Sequence, residues 1–123
     1  LVRDKDKGAM KAKWTLLLTL SILPTFALAG VEQDILTLIT RVEQSSCTFI
    51  RNGKSYTNQE AAEHMRNKWD YAKDDVDSVD VFIKEVASKS WLSGKPYWVD
   101  CQEERITSEE WLTSLMRTTD HIQ

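Results

Sequence analysis

Only two cysteines occur in the 123-residue chain, and each lies in a short strand-like run beside a turn signal. Ser46-Cys47-Thr48-Phe49-Ile50-Arg51 runs into Asn52-Gly53, and Ser93-Gly94-Lys95-Pro96 feeds Tyr97-Trp98-Val99-Asp100-Cys101. If the two runs pair antiparallel with Cys47 beside Cys101, the two-residue side-chain period sets Phe49 against Val99 and Arg51 against Tyr97. A parallel pairing would carry Arg51 away from the Ser93-Gly94-Lys95 turn. The register therefore decides which polar residues can meet.

Whether the cysteines join depends on the compartment, and the N-terminal residues bear on that. Met10-Lys11-Ala12-Lys13 leads into the largely apolar run Trp14 to Leu23, which Pro24-Thr25-Phe26-Ala27-Leu28-Ala29 follows. A basic start, a short apolar run and a small-x-small ending read as a secretory signal peptide over residues 10–29, cleaved after Ala29. Residues 1–9 read as an upstream start-site extension, and residues 30–123 as a single mature domain. The apolar run falls short of the roughly 20 residues a spanning helix needs, so no stable membrane anchor is expected after cleavage. The expected location is the periplasm.

Beyond Ala29 acidic residues outnumber basic ones by six. That balance argues against nucleic acid or an anionic membrane as partner, because both are held chiefly through Lys and Arg. A domain this small has a thin stability margin, and a covalent staple matters more in it than in a large one. Export would favour a Cys47–Cys101 disulfide, for which the chain-entropy relation gives about 4 kcal/mol at this loop length.

Periodicity supplies the elements. Ile35, Leu36, Leu38, Ile39 and Val42 form one stripe of a first helix over residues 31–44. Asn52-Gly53 before Lys54-Ser55-Tyr56-Thr57 is a hairpin signal, since both turn residues tolerate φ > 0. Thr57-x-x-Glu60 is a capping box opening a second helix with Ala61, Ala62, Met65, Trp69 and Ala72 inward and Glu63, Arg66, Lys68 and Lys73 flanking. Ser78 caps a third helix with Val79, Phe82, Ile83, Val86 and Ala87 inward, which Gly94 and Pro96 forbid from continuing. Thr107-x-x-Glu110 opens a fourth, with Trp111, Leu112, Leu115 and Met116. The expected fold is α+β: about four amphipathic helices packed on a small antiparallel sheet of two to three short strands, with one disulfide.

Phe49-Ile50-Arg51-Asn52-Gly53 with Tyr56, Ala61-x-x-His64-Met65 with Lys68, Phe82-Ile83-x-x-Val86-Ala87-Ser88-Lys89-Ser90, and Ser93-Gly94-Lys95-Pro96-Tyr97 together resemble the YfeK-like family of small exported bacterial proteins. The resemblance covers essentially all of residues 30–123. It implies a periplasmic or envelope location and a domain of unknown function, and matching the family's two cysteines to Cys47 and Cys101 supports the disulfide. Trp91 departs from the small polar residue usual there, so the turn before Ser93 need not keep the family's shape.

No catalytic residue comes with the resemblance, and none is evident in the spacing. Gly94-Lys95 lacks the upstream glycine of a phosphate loop and has Pro96 where Ser or Thr would hold magnesium. Ser93 and Lys95 lack the Ser-x-x-Lys spacing of acylating enzymes. Two histidines are too few for a zinc site, and the Asp74–Asp80 run lacks the central glycine and distal glutamate of a calcium loop. Trp69, Trp98 and Trp111 read as core or rim packing, and Trp91 as an exposed aromatic. The ligand-binding candidates are Arg51, Asn52, Tyr56, His64, Lys68, Ser93, Lys95 and Tyr97. The expectation is a non-enzymatic binding or inhibitor-like module with no cofactor or metal, docking an envelope protein or cell-wall peptide around Arg51, Lys95 and Tyr97. The alternatives are a small hydrolase or transferase using His64 near Glu60, and a structural stress accessory protein without a discrete site.

Overall fold

In the computed structural model, residues 30–122 are described, with side chains through residue 118. The expected extension (1–9) and signal peptide (10–29) lie outside the described residues. Helix α1 spans residues 30–44. It buries Ile35, Leu38, Ile39 and Val42, whereas Leu36, expected on that stripe, is 37% exposed. Strands β1 (Thr48–Arg51) and β2 (Lys54–Tyr56) form a hairpin whose turn places Asn52 at φ 52° and Gly53 at φ 80°. The left-handed pair matches the twist of the flanking strands, which is why this dipeptide fixes the hairpin.

Helix α2 (Asn58–Ala72) opens on the expected box: the Glu60 amide donates to Thr57 Oγ1 at 3.1 Å and the Thr57 amide to Glu60 Oε1 at 2.9 Å. A 3₁₀ turn, Lys73–Asp75, follows. Helix α3 begins as an α-helical turn, Val79–Val81, capped by Ser78 Oγ, and continues as a π-helix, Phe82–Ala87. In this segment of i→i+5 hydrogen bonding Phe82, Ile83, Val86 and Ala87 are all buried. Phe82 meets Trp69 edge-on, with ring centroids 5.9 Å apart.

Strands β3 (Trp98–Cys101) and β4 (Glu104–Thr107) complete an antiparallel sheet of order β2-β1-β3-β4, and α4 (Ser108–Ile122) follows directly. Four strands stand where two to three were expected. Strand β4 is the addition, since Glu104-Arg105-Ile106-Thr107 carries little strand signal. The β1–β3 register is the antiparallel one, with Phe49 opposite Val99, and Cys47 and Cys101 are disulfide-bonded with Cα atoms 4.6 Å apart. At the start of α4 the Glu110 amide donates to Thr107 Oγ1.

One face of the sheet is covered. Phe49 and Val99 point into a core with Ile35, Ile39, Met65, Trp69, Ile83 and Leu112, and Phe49 meets Trp111 edge-on at 5.3 Å. By strand alternation Arg51 and Tyr97 share that covered face, while Ile50, Trp98 and Asp100 point the other way. Among the described residues no helix is long and apolar enough to cross a membrane.

Candidate functional site

Arg51 ends β1 on the covered face, where the aliphatic core gives way to polar groups. Tyr97 is its neighbour across the strands, and it is firmly held: its amide donates to Ser88 O at 2.8 Å and its carbonyl accepts from the Ser108 amide at 2.9 Å. His64 and Lys68 reach the same place from α2, one turn apart on its surface. The Arg51 guanidinium lies 3.9 Å from the Tyr56 ring centroid and 5.9 Å from that of Tyr97. His64 meets Tyr97 edge-on at 6.1 Å. Lys68 Nζ lies 5.1 Å from the Tyr97 centroid and 4.3 Å from that of Trp91, and Trp91 tilts against the exposed Tyr71 at 5.7 Å. Rings and cations thus alternate from Tyr56 to Trp91.

Lys68, expected to flank the apolar stripe, is buried at 7% exposure. Its ammonium donates to Lys89 O at 2.9 Å, and the facing rings supply cation–π attraction in place of a counterion. The lysine stem covers apolar surface while the head ties α2 to the loop after α3. Trp91 is 47% exposed, as its position at a helix end suggested, yet its indole N–H donates to Glu85 O.

The electrostatics of this corner are one-sided. Among the described residues the ion pairs use Arg66, Lys84, Lys89 and Arg105; Arg51 and Lys68 have no carboxylate partner. Burial, then the charges of Arg51 and Lys68, push the His64 imidazole down to about 4, which leaves it neutral at pH 7. Burial, then Arg51 and Lys89, push the Lys68 ammonium down to about 8. Arg51 Nε and His64 Nε2 are buried and accept or donate no hydrogen bond among the described residues. Arg51 and His64 both line a small pocket of about 10 Å³ with Phe49, Ala61, Met65 and Tyr97, room for about one water-sized group. The Glu60 carboxylate, the expected acid-base partner of His64, is engaged by the helix cap. Among the described residues no cluster of His, Cys, Asp and Glu has metal-binding geometry.

The eight candidates do not form one patch. Arg51, Tyr56, His64, Lys68 and Tyr97 come together on the covered face. Asn52, Ser93 and Lys95 line an open groove on the opposite face with Ile50, Gly53, Pro96 and Trp98. The alternation that turns Arg51 and Tyr97 inward turns Ile50 and Trp98 outward, which is why the expected Arg51–Lys95–Tyr97 patch divides. The sequence reading omitted Trp91 and Trp98 from the candidates. Strand alternation was the available signal for Trp98, and nothing local announces the contact between Lys68 and Trp91.

A family model for a family of unknown function, DUF5329, matches residues 29–120. The chain belongs to that family. The uncharacterized protein YfeK of Salmonella typhimurium is 38% identical over 55 residues, which span 45% of this chain and 46% of that relative. The chain thus aligns with about half the length of this curated relative, and the match agrees with the expected YfeK-like family. No solved structure matches.

Proposed function

We propose that this DUF5329-family domain is a non-catalytic binding module of the bacterial envelope, and that its Arg51 corner docks a partner through a carboxylate. The observation that carries this reading is the unbalanced cation pair: Arg51 and Lys68 flank Tyr97 with no carboxylate partner among the described residues. Arg51 is only partly buried and stacks on Tyr56, so its planar fork is pre-oriented for two parallel hydrogen bonds to a carboxylate. His64 lies beside it and would gain a proton as an anion arrives, since the anion offsets the two positive charges that hold it neutral. The signal-peptide pattern of residues 10–29 and the disulfide support export to the periplasm. An envelope protein or a cell-wall peptide would present such a carboxylate.

The test is an NMR titration of the domain with N-acetyl-Ala-Ala and with its C-terminal amide. The free acid is expected to move the Arg51 Nε–H, Tyr56 and His64 signals saturably, the amide to leave them in place, and Arg51→Gln to abolish the response. Equal shifts with acid and amide, or an unchanged response in Arg51→Gln, would reject the carboxylate site.

A further inference from the structure

Among the described residues the other face of the sheet is left uncovered, and it is polar almost throughout. Ser55, Thr48 and the Asp100–Arg105 ion pair, at 2.6 Å, lie on it. Within this surface one cross-strand row runs Ser55, Ile50, Trp98, Thr107, and Trp98 is 37% exposed. The fold covers part of this indole and leaves over a third of it open to solvent in the middle of a polar sheet face.

Trp98 is the floor of an open groove of about 530 Å³, a volume within the range of small-ligand sites. Ile50 and Pro96 extend the apolar floor. The Asn52-Gly53 turn forms one rim and Ser93 with Lys95 the other. The floor stands on paired strands, and both rims are fixed. Asn52 and Gly53 are locked in the hairpin turn, and the second rim is tied by Ser90 N–H to Lys95 O at 3.0 Å and by Gly94 N–H to Ser90 O at 2.9 Å. A groove built this way needs little ordering when it fills, which favours binding.

The lining selects a ligand class. A flat aromatic and aliphatic floor suits a ring with an apolar face, and the side-chain amide of Asn52 and hydroxyl of Ser93 suit neutral hydroxyls at that ring's edge. Lys95 is the single charged residue of the lining. A nucleic acid strand would bring a phosphate with every base and require more cations. A peptide adding to the sheet would use an edge strand, whereas this groove lies on the face. We propose that the groove binds a β-linked pyranose oligosaccharide, one sugar ring stacked on Trp98 with its equatorial hydroxyls toward Asn52 and Ser93. The site is separate from the Arg51 corner, on the other side of the sheet.

The experiment is an NMR titration of the indole and side-chain amide signals with cellotetraose, the N-acetylglucosamine tetramer and maltotetraose. A β-linked tetramer is expected to shift Trp98 and Asn52 saturably. Trp98→Ala is expected to weaken binding roughly tenfold or more. Asn52→Gly keeps the left-handed turn and is expected to weaken binding about fivefold, the worth of one hydrogen bond. Arg51→Gln should bind the sugar as wild type does, so failure of the carboxylate reading leaves this result intact. The proposal is overturned if none of the tetramers binds at millimolar concentration, if only α-linked maltotetraose binds, or if both groove variants bind like wild type.

Discussion

Acidification from pH 6.5 toward the carboxylate range should weaken this fold through the His64 imidazole. His64 stays neutral in the folded state down to about pH 4, whereas it protonates near 6.5 in the unfolded chain. Between those values the unfolded state takes up the proton first, so stability falls as pH drops from about 6.5 to 4 and levels off below. A shift of that size is worth roughly 3 kcal/mol at most, and partial exposure of the ring reduces the expected loss to about 1–2 kcal/mol. The cause is local: the ring is partly desolvated beside Tyr97, with Arg51 and Lys68 as its charged neighbours. Urea unfolding of wild type and His64→Gln at half-unit steps from pH 7 to 4 measures the effect. Gln fills similar space and cannot charge, so the two stability curves should separate below pH 6.5, wild type losing more. Curves that stay parallel to pH 4 would refute the assignment, as would a His64 NMR titration with its midpoint near 6.5.

Two further outcomes follow from the backbone and the staple. Gln102 and Glu103 turn the β3–β4 hairpin at φ 53° and 67°, a region that costs an ordinary side chain about 1–2 kcal/mol, so Gln102→Asn with Glu103→Gly should raise the unfolding free energy by about 1 kcal/mol and move the urea midpoint up. No gain in the unfolding midpoint would show that the turn is not strained. Replacing Cys47 and Cys101 together by Ala should lower stability by up to about 4 kcal/mol, read as the difference between urea curves of the oxidised wild type and the variant.

The two hairpins show what could be read ahead of the structure. Both use a two-residue turn with positive φ at each position, but only one carries the residues that suit it. Asn52-Gly53 displays its backbone requirement in its side chains. Gln102-Glu103 does not, because the pairing of Val99 with Ile106 and the start of α4 hold the turn in a conformation its own residues disfavour. The helices were legible for the same reason as the first hairpin, since Thr57 with Glu60 and Ser78 state their capping roles locally. The π-helix was not, since Phe82, Ile83, Val86 and Ala87 satisfy an α-helical stripe equally well and no local pattern distinguishes the two.

The candidate site divides along the same line. The β1–β3 register followed from the two cysteines, and with it the meeting of Arg51 and Tyr97. That Lys68 turns inward toward Trp91 depends on a loop whose path no local pattern specifies. Asn52, Ser93 and Lys95 were grouped with Arg51 because they are close in sequence to the paired strands. A strand's two faces separate neighbours in sequence as thoroughly as distance does.

The bond between Cys47 and Cys101 makes β1, β2, α2, α3 and β3 a closed covalent ring, with α1, β4 and α4 outside it. A protease that cuts once between Ser90 and Lys95, in the exposed turn carrying Leu92, would open that ring without separating its ends. The nicked chain would keep its full mass on a non-reducing gel and fall into two fragments only when a thiol is added.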